Sequence, residues 1–233
     1  MKSKKVSIFI FKIKFFIIRF ISSFVKKKIK KKSNVDLINF KKLIKNKSFS
    51  TNWFLNNFKV LEYYLPEKSL DKFNYLEIGS FEGMSALFIL NKFKNANVTC
   101  IDQWKLNDNN SQKLDFDFIN VEKKFDENLN NFSYTKIKET SIKALDDLKK
   151  KNVLFDCIYI DGSHDGKDIL NDAIASFDLL NKKGLIIFDD ISSIYDSINI
   201  QPHNAFETFY YLYKKKIKIL YLKTIAVVKK TNY

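Results

Sequence analysis

From Phe73 to the end of the chain, short apolar runs alternate with longer segments whose apolar residues recur at helical spacing. The runs at 75–78, 98–101, 134–137, 155–160 and 185–188 predict strands. The segments 84–93, 115–130, 141–150 and 166–180 predict the helices between them. Strands that alternate with helices form a parallel sheet covered on both faces, so the expected fold is α/β with a doubly wound sheet. Two further runs, 217–222 and 224–230, follow each other almost without a gap and predict an antiparallel pair at one edge. Upstream, Asp36 can cap a helix over 37–45. Ser50 or Thr51 can cap a second helix, which carries Phe54, Phe58, Leu61 and Leu65 before Pro66. These helices form a lead-in at 35–66 to a domain spanning 35–233, behind an arm of residues 1–34.

The arm changes the picture through its charge. The chain has a net charge of +15, from 41 Lys and Arg against 26 acids. Residues 1–50 hold 16 of those cations and one acid, Asp36, while residues 51–233 balance at 25 of each. Within the apolar stretch 6–25 lie Lys12, Lys14 and Arg19. Each costs roughly 2.5–3.5 kcal/mol near the centre of a bilayer, which disfavours a spanning helix. Lys5, Lys12, Arg19 and Lys26 lie seven apart and share a helix face, with Ser22 and Ser23 near it. Phe9, Ile13, Phe16, Ile17, Phe20 and Phe24 lie away from that face, and Lys14 falls opposite the stripe. The expected element is a basic amphipathic helix lying on an anionic membrane surface through residues 1–32, reinforced by the lysine run 26–32. A single membrane span and an arm packed on the domain or disordered are the alternatives. Arg19 is the sole arginine, which gives little support to nucleic acid as a partner. Cys100 and Cys157 fall in predicted strands and read as buried thiols, with a cytoplasmic location.

In an open parallel sheet, ligands bind beyond the carboxyl ends of the strands. After the first strand the chain reads Glu77-Ile78-Gly79-Ser80-Phe81-Glu82-Gly83. Phe81 stands where a dinucleotide-binding turn has its middle glycine, and no Lys-Ser/Thr pair follows. The turn therefore suits a ligand whose backbone-contacting part is small and zwitterionic. Asp102 follows the second strand, either as acceptor for both hydroxyls of a ribose or as a loop acid. Trp104 is a candidate cover for an adenine or a core residue, and Ser141 a candidate helix cap at a place where an adenine edge could be met. Asp161-Gly162-Ser163-His164 follows the fourth strand and Asp189-Asp190 the fifth. Three carboxylates beside one of two histidines suit a hard divalent cation or a proton transfer, or else are solvated loop acids. His203, beside Pro202 in the loop after the fifth strand, is a candidate for the acceptor wall.

The string from Ile160 to His164, then Asp172, then residues 179–184, then Phe188-Asp189-Asp190, resembles the class I S-adenosylmethionine-dependent methyltransferases over residues 73–230. Within them it is similar to the bacterial small-molecule and sugar O-methyltransferases of macrocin type. Gly166 stands where many relatives carry an aromatic residue, and Asn181-Lys-Lys-Gly184 lacks their proline-glycine turn. The resemblance implies a Rossmann-like fold with S-adenosylmethionine at the glycine turn. Glu77, Gly79 and Gly83 are implied at the methionine part, Asp102 at the ribose and Ser141 at the adenine, with Ser80, Gln103 and Trp104 completing the cofactor set. Asp161, Asp189 and Asp190 are implied as Mg²⁺ positions. His164 is the first candidate for proton acceptor and Asp161 the second.

The expected activity is O-methylation of a sugar, glycan or other small hydroxylated acceptor, by a protein held peripherally on the inner membrane surface. One competitor is an RNA methyltransferase, although Asp161-Gly-Ser-His replaces the N/D-P-P-Y/F turn of base-amine enzymes. Another is a non-catalytic, membrane-associated binding protein, against which the intact Glu77, Gly79, Gly83 and Asp102 speak.

Overall fold

The computed structural model describes residues 2–31, 34–66, 72–105, 120–195, 198 and 200–232, with 2–12 as backbone only. The expected helix start at 115–119, Lys32 of the lysine run, and the side chains of Lys5, Phe9 and Lys12 lie outside the described residues. Seven strands form one sheet: β1 Phe73–Ile78, β2 Ala96–Asp102, β3 Thr135–Lys138, β4 Phe155–Ile160, β5 Leu180–Phe188, β6 Ile217–Leu222 and β7 Ala226–Lys230. Their order is β3-β2-β1-β4-β5-β7-β6. The pairs among β1 to β5 are parallel, and β7 runs antiparallel to both neighbours. The chain winds outward from β1 to β3, then restarts at β4 on the other side of β1. The switch between β1 and β4 opens the crevice in which such sheets bind ligands.

Side-chain alternation divides the core. Tyr75, Cys100, Cys157, Tyr159 and Val227 face one side. They lie under α2 Val35–Ile44, α3 Phe54–Tyr64, α4 Met84–Lys92 and α5 Val121–Leu129. Leu76, Ile78, Ile158, Ile160 and Phe188 face the other side. They lie under α6 Ser141–Lys150, α7 Gly166–Leu179 and α8 Pro202–Tyr213. Phe40, Phe54, Phe58 and Phe88 knit α2, α3 and α4 together, with Phe58 and Phe88 ring centroids 4.7 Å apart. Cys100 and Cys157 are buried free thiols, as their strand positions imply, and burial raises both pKa values.

Several local expectations are corrected. Helix α2 begins at Val35 behind Asn34, so Asp36 sits inside the first turn, where its charge still favours the helix dipole. Helix α3 begins behind Trp53, and Ser50 and Thr51 do not cap it. Thr140 occupies the N-cap of α6, which makes Ser141 its first helical residue. His203 lies in the first turn of α8, not in a loop. The signal for α8 was present: Pro202 at a first-turn position, then Ala205, Phe206, Phe209 and Tyr210 at helical spacing.

The arm forms α1, Lys2–Lys31, and its described part docks on the domain. Phe15 packs between Phe206 and Tyr210, with centroids at 6.0 and 5.2 Å. Ser22 Oγ accepts from the Leu222 amide of edge strand β6 at 3.0 Å. Ser22 is 1% exposed, so it belongs to the docked face and not to a solvated basic face. Lys14, opposite the stripe, leans over the Tyr210 ring at 5.2 Å. Among the described residues, no helix is long and apolar enough to cross a membrane.

Candidate active site

The carboxyl ends of β1, β2, β4 and β5 open into a cleft of about 1000 Å³. Its floor is the turn after β1. Gly79 takes φ +86°, and a Cβ there would sit 2.2 Å from the Asp161 carbonyl, so only glycine lets the β1 and β4 ends approach this closely. The register continues past the strands: Gly79 N–H donates to Ile101 O at 2.8 Å and Asp161 N–H to Ile78 O at 2.9 Å. Gly83 takes φ +83° at the N-cap of α4, where a side chain would press on Phe125 and Leu129. Phe81, Trp104 and Asp190 also adopt left-handed backbone, one after each of β1, β2 and β5. Non-glycine residues held this way cluster at functional sites.

Glu77 lies beneath the turn, fully buried, and is not on the cleft wall. Tyr75 donates to its Oε2 at 2.9 Å, while Oε1 has no hydrogen bond of good geometry. Burial pushes its pKa up to about 7 against the nearby Ser85, Tyr75 and Ser80 hydroxyls. Ser80 lines the cleft, with its buried hydroxyl beside the Glu77 carboxylate. Asp102, at the end of β2, clamps the turn: Oδ2 accepts from Phe81 N–H at 2.8 Å and Oδ1 from Trp104 N–H at 2.7 Å. Burial raises its pKa, opposed by these amides. Trp104 lines the cleft but is largely engaged in packing, with its ring 4.8 Å from Phe125 and its Nε1–H bonded to Phe81 O. Gln103 and Ser141 also line the cleft.

The opposite wall carries the acids. Asp161 is half-buried at the end of β4, and burial followed by repulsion from Asp189 and Asp190 raises its pKa well above the carboxylate range. Asp189 is raised to about 6, chiefly by burial. The three acids thus converge, but not as a ligand set: among the described residues, no group of three or more acids, histidines or cysteines is arranged to hold a metal ion. Asp189 is engaged by neighbouring donors. Asn57 Nδ2 donates to both of its oxygens, at 2.8 and 2.7 Å, and the Tyr159 hydroxyl donates to Oδ2. His164 stacks on Tyr195 with centroids 4.7 Å apart, and its Nε2 lies 3.6 Å from Asp190 Oδ2. Burial lowers its pKa and Asp190 partly restores it. His203 is not among the cleft residues.

Sequence reasoning missed three contributors and assigned no role to a fourth, Asp172. Asn57 on α3 and Tyr159 within β4 fix Asp189, and Tyr195 fixes His164. Asp172 on α7 lines the cleft fully enclosed, with its pKa raised to about 7 by burial. Asn57 sits on the lead-in helix, far from any strand end, so spacing gave no signal for it. Tyr195 follows Asp189-Asp190 closely and was within reach.

Residues 76–191 match the family model described as a methyltransferase domain. An uncharacterized protein of Acanthamoeba polyphaga mimivirus is 29% identical over 163 residues, 69% of this chain and 70% of the relative. The fold superposes on MycE methyltransferase from the mycinamycin biosynthetic pathway, in complex with Mg, SAH and mycinamycin VI. There the TM-score is 0.54 at 17% identity, over 82% of this chain and 54% of MycE. The chain therefore spans about half the length of that protein. An O-methyltransferase from Bacillus cereus, in complex with SAH, superposes with TM-score 0.54 at 14% identity, over 92% of this chain and 99% of that one. The sheet is Rossmann-like, and residues 76–191 within it are similar to a methyltransferase domain.

Proposed function

We propose, starting from the similarity of residues 76–191 to a methyltransferase domain, that this chain transfers the methyl group of S-adenosylmethionine to an oxygen of a sugar, glycan or other small hydroxylated acceptor. The observation that carries this reading is the Gly79–Gly83 turn with Asp102 beside it. The turn offers tight backbone approach without phosphate machinery, and Asp102 offers acceptor lone pairs to a ribose. Ser80, on the cleft wall within that turn, suits the amino-acid part of the cofactor.

The sulfonium supplies an already activated methyl group. The protein must then align the acceptor oxygen and take one proton. His164 is the acceptor of that proton. Its lowered pKa keeps the imidazole neutral near pH 7, and Asp190 at 3.6 Å stabilises the imidazolium once formed. Tyr195 fixes the ring plane, and Asp161 is the second candidate for the same role.

Mg²⁺ is the finer part of the expected cofactor set. The donor chemistry of three carboxylates suits it, but Asp189 as placed is held by Asn57 and Tyr159. The residues in this arrangement do not fit a metal.

Mass spectrometry of glycan and small-molecule extracts, from cells with and without the chain, tests the proposal. A metabolite that loses one O-methyl group in its absence supports it. Unchanged O-methylation, or loss of a methyl from RNA nitrogen instead, would overturn it.

A further inference from the structure

Helix α1 is apolar on two opposite faces, and the domain covers only one. The docked face follows a spacing of three and four: Phe15, Ile18, Ser22, Val25 and Ile29. The face turned away carries Ile13, Phe16, Ile17, Phe20, Ile21 and Phe24, all exposed. Phe16 is 71% exposed and Phe20 57%. These six side chains fall within about 16 Å of helix length, at a rise of 1.5 Å per residue. Scattered exposed apolar residues need no explanation, but a contiguous patch of six does.

We propose that this face docks into the headgroup region of an anionic bilayer, with the helix lying in the membrane plane. Charge decides the occupant. Arg19, Lys26 and Lys30 flank the apolar face on one side, Lys14 and Lys28 on the other, and Lys27 and Lys31 extend it at the C-terminal end. No acid occurs before Asp36. A second copy meeting the same face across a two-fold axis would set these cations against their own images, which is repulsive. Anionic headgroups neutralise them, while the phenylalanine and isoleucine side chains enter the acyl boundary. The docked face anchors the helix to the catalytic domain: the Lys223 ammonium donates to Ser23 Oγ at 2.6 Å, one residue from Thr224 on the cleft wall. The membrane then lies at the flank of the cleft. The docking stands on the helix alone and does not depend on which acceptor the cleft takes.

The test is co-sedimentation of the full chain with phosphatidylcholine vesicles, with and without phosphatidylglycerol. The wild type should pellet with the anionic vesicles at low salt and be released at high salt. The double variant Phe16→Glu/Phe20→Glu should bind at least about tenfold more weakly, with an unchanged melting temperature because both side chains are exposed. The triple variant Lys26→Glu/Lys27→Glu/Lys28→Glu should lose the preference for phosphatidylglycerol. Failure of the wild type to pellet, or a folded double variant that pellets like the wild type, would overturn the proposal. So would a dimer in sedimentation velocity that the double variant abolishes while vesicles bind neither protein.

Discussion

His164 sits between the flat face of Tyr195 and the carboxylate of Asp190, and these neighbours set its chemistry more than its position in the sequence does. Its folded pKa lies below 6.5 because burial penalises the imidazolium. A base must be neutral to accept a proton, so kcat/KM should fall as pH drops through that lowered value and stay flat above it. His164→Ala should lower kcat by roughly 100-fold or more and leave cofactor affinity unchanged. A pH profile identical in the variant and the wild type would remove the histidine from the proton transfer. Asn57 makes a second case. It holds both oxygens of Asp189, so Asn57→Ala should raise the affinity for Mg²⁺ measured by calorimetry. Equal affinities would mean that Asn57 does not guard that carboxylate. The strand-end residues of this wall were legible because parallel sheets collect them at one end. Asn57 and Tyr159 were not, since one comes from a helix outside the repeating pattern and the other lies inside a strand that reads as core.

Elements impose their own demands on the site. The β1 and β4 ends approach so closely at Gly79 that a methyl group would overlap the Asp161 carbonyl. Gly79→Ala must therefore separate the strands at the switch point. It should destabilise the domain by about 1–3 kcal/mol and abolish cofactor binding, read by chemical denaturation and calorimetry. A variant of wild-type stability and affinity would show that the approach is not required. The segment before α3 is tied to the same turn. Glu82 accepts from the Ser50 hydroxyl at 2.7 Å and from Lys124 at 3.1 Å, and Asn128 bonds the Ser48 backbone. Ser50 and Thr51 read as caps because a polar residue before an apolar helical run is the usual signal. Here the helix starts at Phe54, behind Trp53, and the Ser50 hydroxyl instead donates to the buried Glu82 carboxylate. Most strands were legible to within about two residues because two buried faces demand continuous apolar runs, but β5 begins at Leu180, five residues before its expected start, where Asn181, Lys182 and Lys183 interrupt the apolar pattern. Helix α8 was overlooked although its proline and spacing announced it. Helix α1 was expected to keep its two serines near a solvated basic face: they are polar by type, yet Ser22 is buried and supplies an acceptor to the edge of β6.

For the whole molecule, burying acids around one cleft makes stability depend on pH. Glu77 and Asp172 are raised to about 7 and Asp189 to about 6. Folded pKa values above the unfolded ones mean that the folded chain binds more protons between about pH 4 and 7. The stabilisation is complete below the unfolded values and is lost as pH rises through the folded ones. The melting temperature should therefore be higher at pH 5 than at pH 8, and Asp172→Asn should raise it at pH 8 and reduce the difference. A melting temperature that climbs from pH 5 to pH 8 would contradict this assignment. The α/β architecture and the antiparallel ending follow from the chain's periodicity alone, while the coupling of acids across three strands required the fold. Most direct for the central claim is calorimetry of S-adenosylmethionine and NAD binding to the wild type and to Asp102→Ala. S-adenosylmethionine should bind the wild type and NAD should not. Loss of the ribose contact should weaken binding by about 1.5–3 kcal/mol, roughly tenfold to a hundredfold. A folded chain that does not bind S-adenosylmethionine, or binds it equally well without Asp102, would contradict the account.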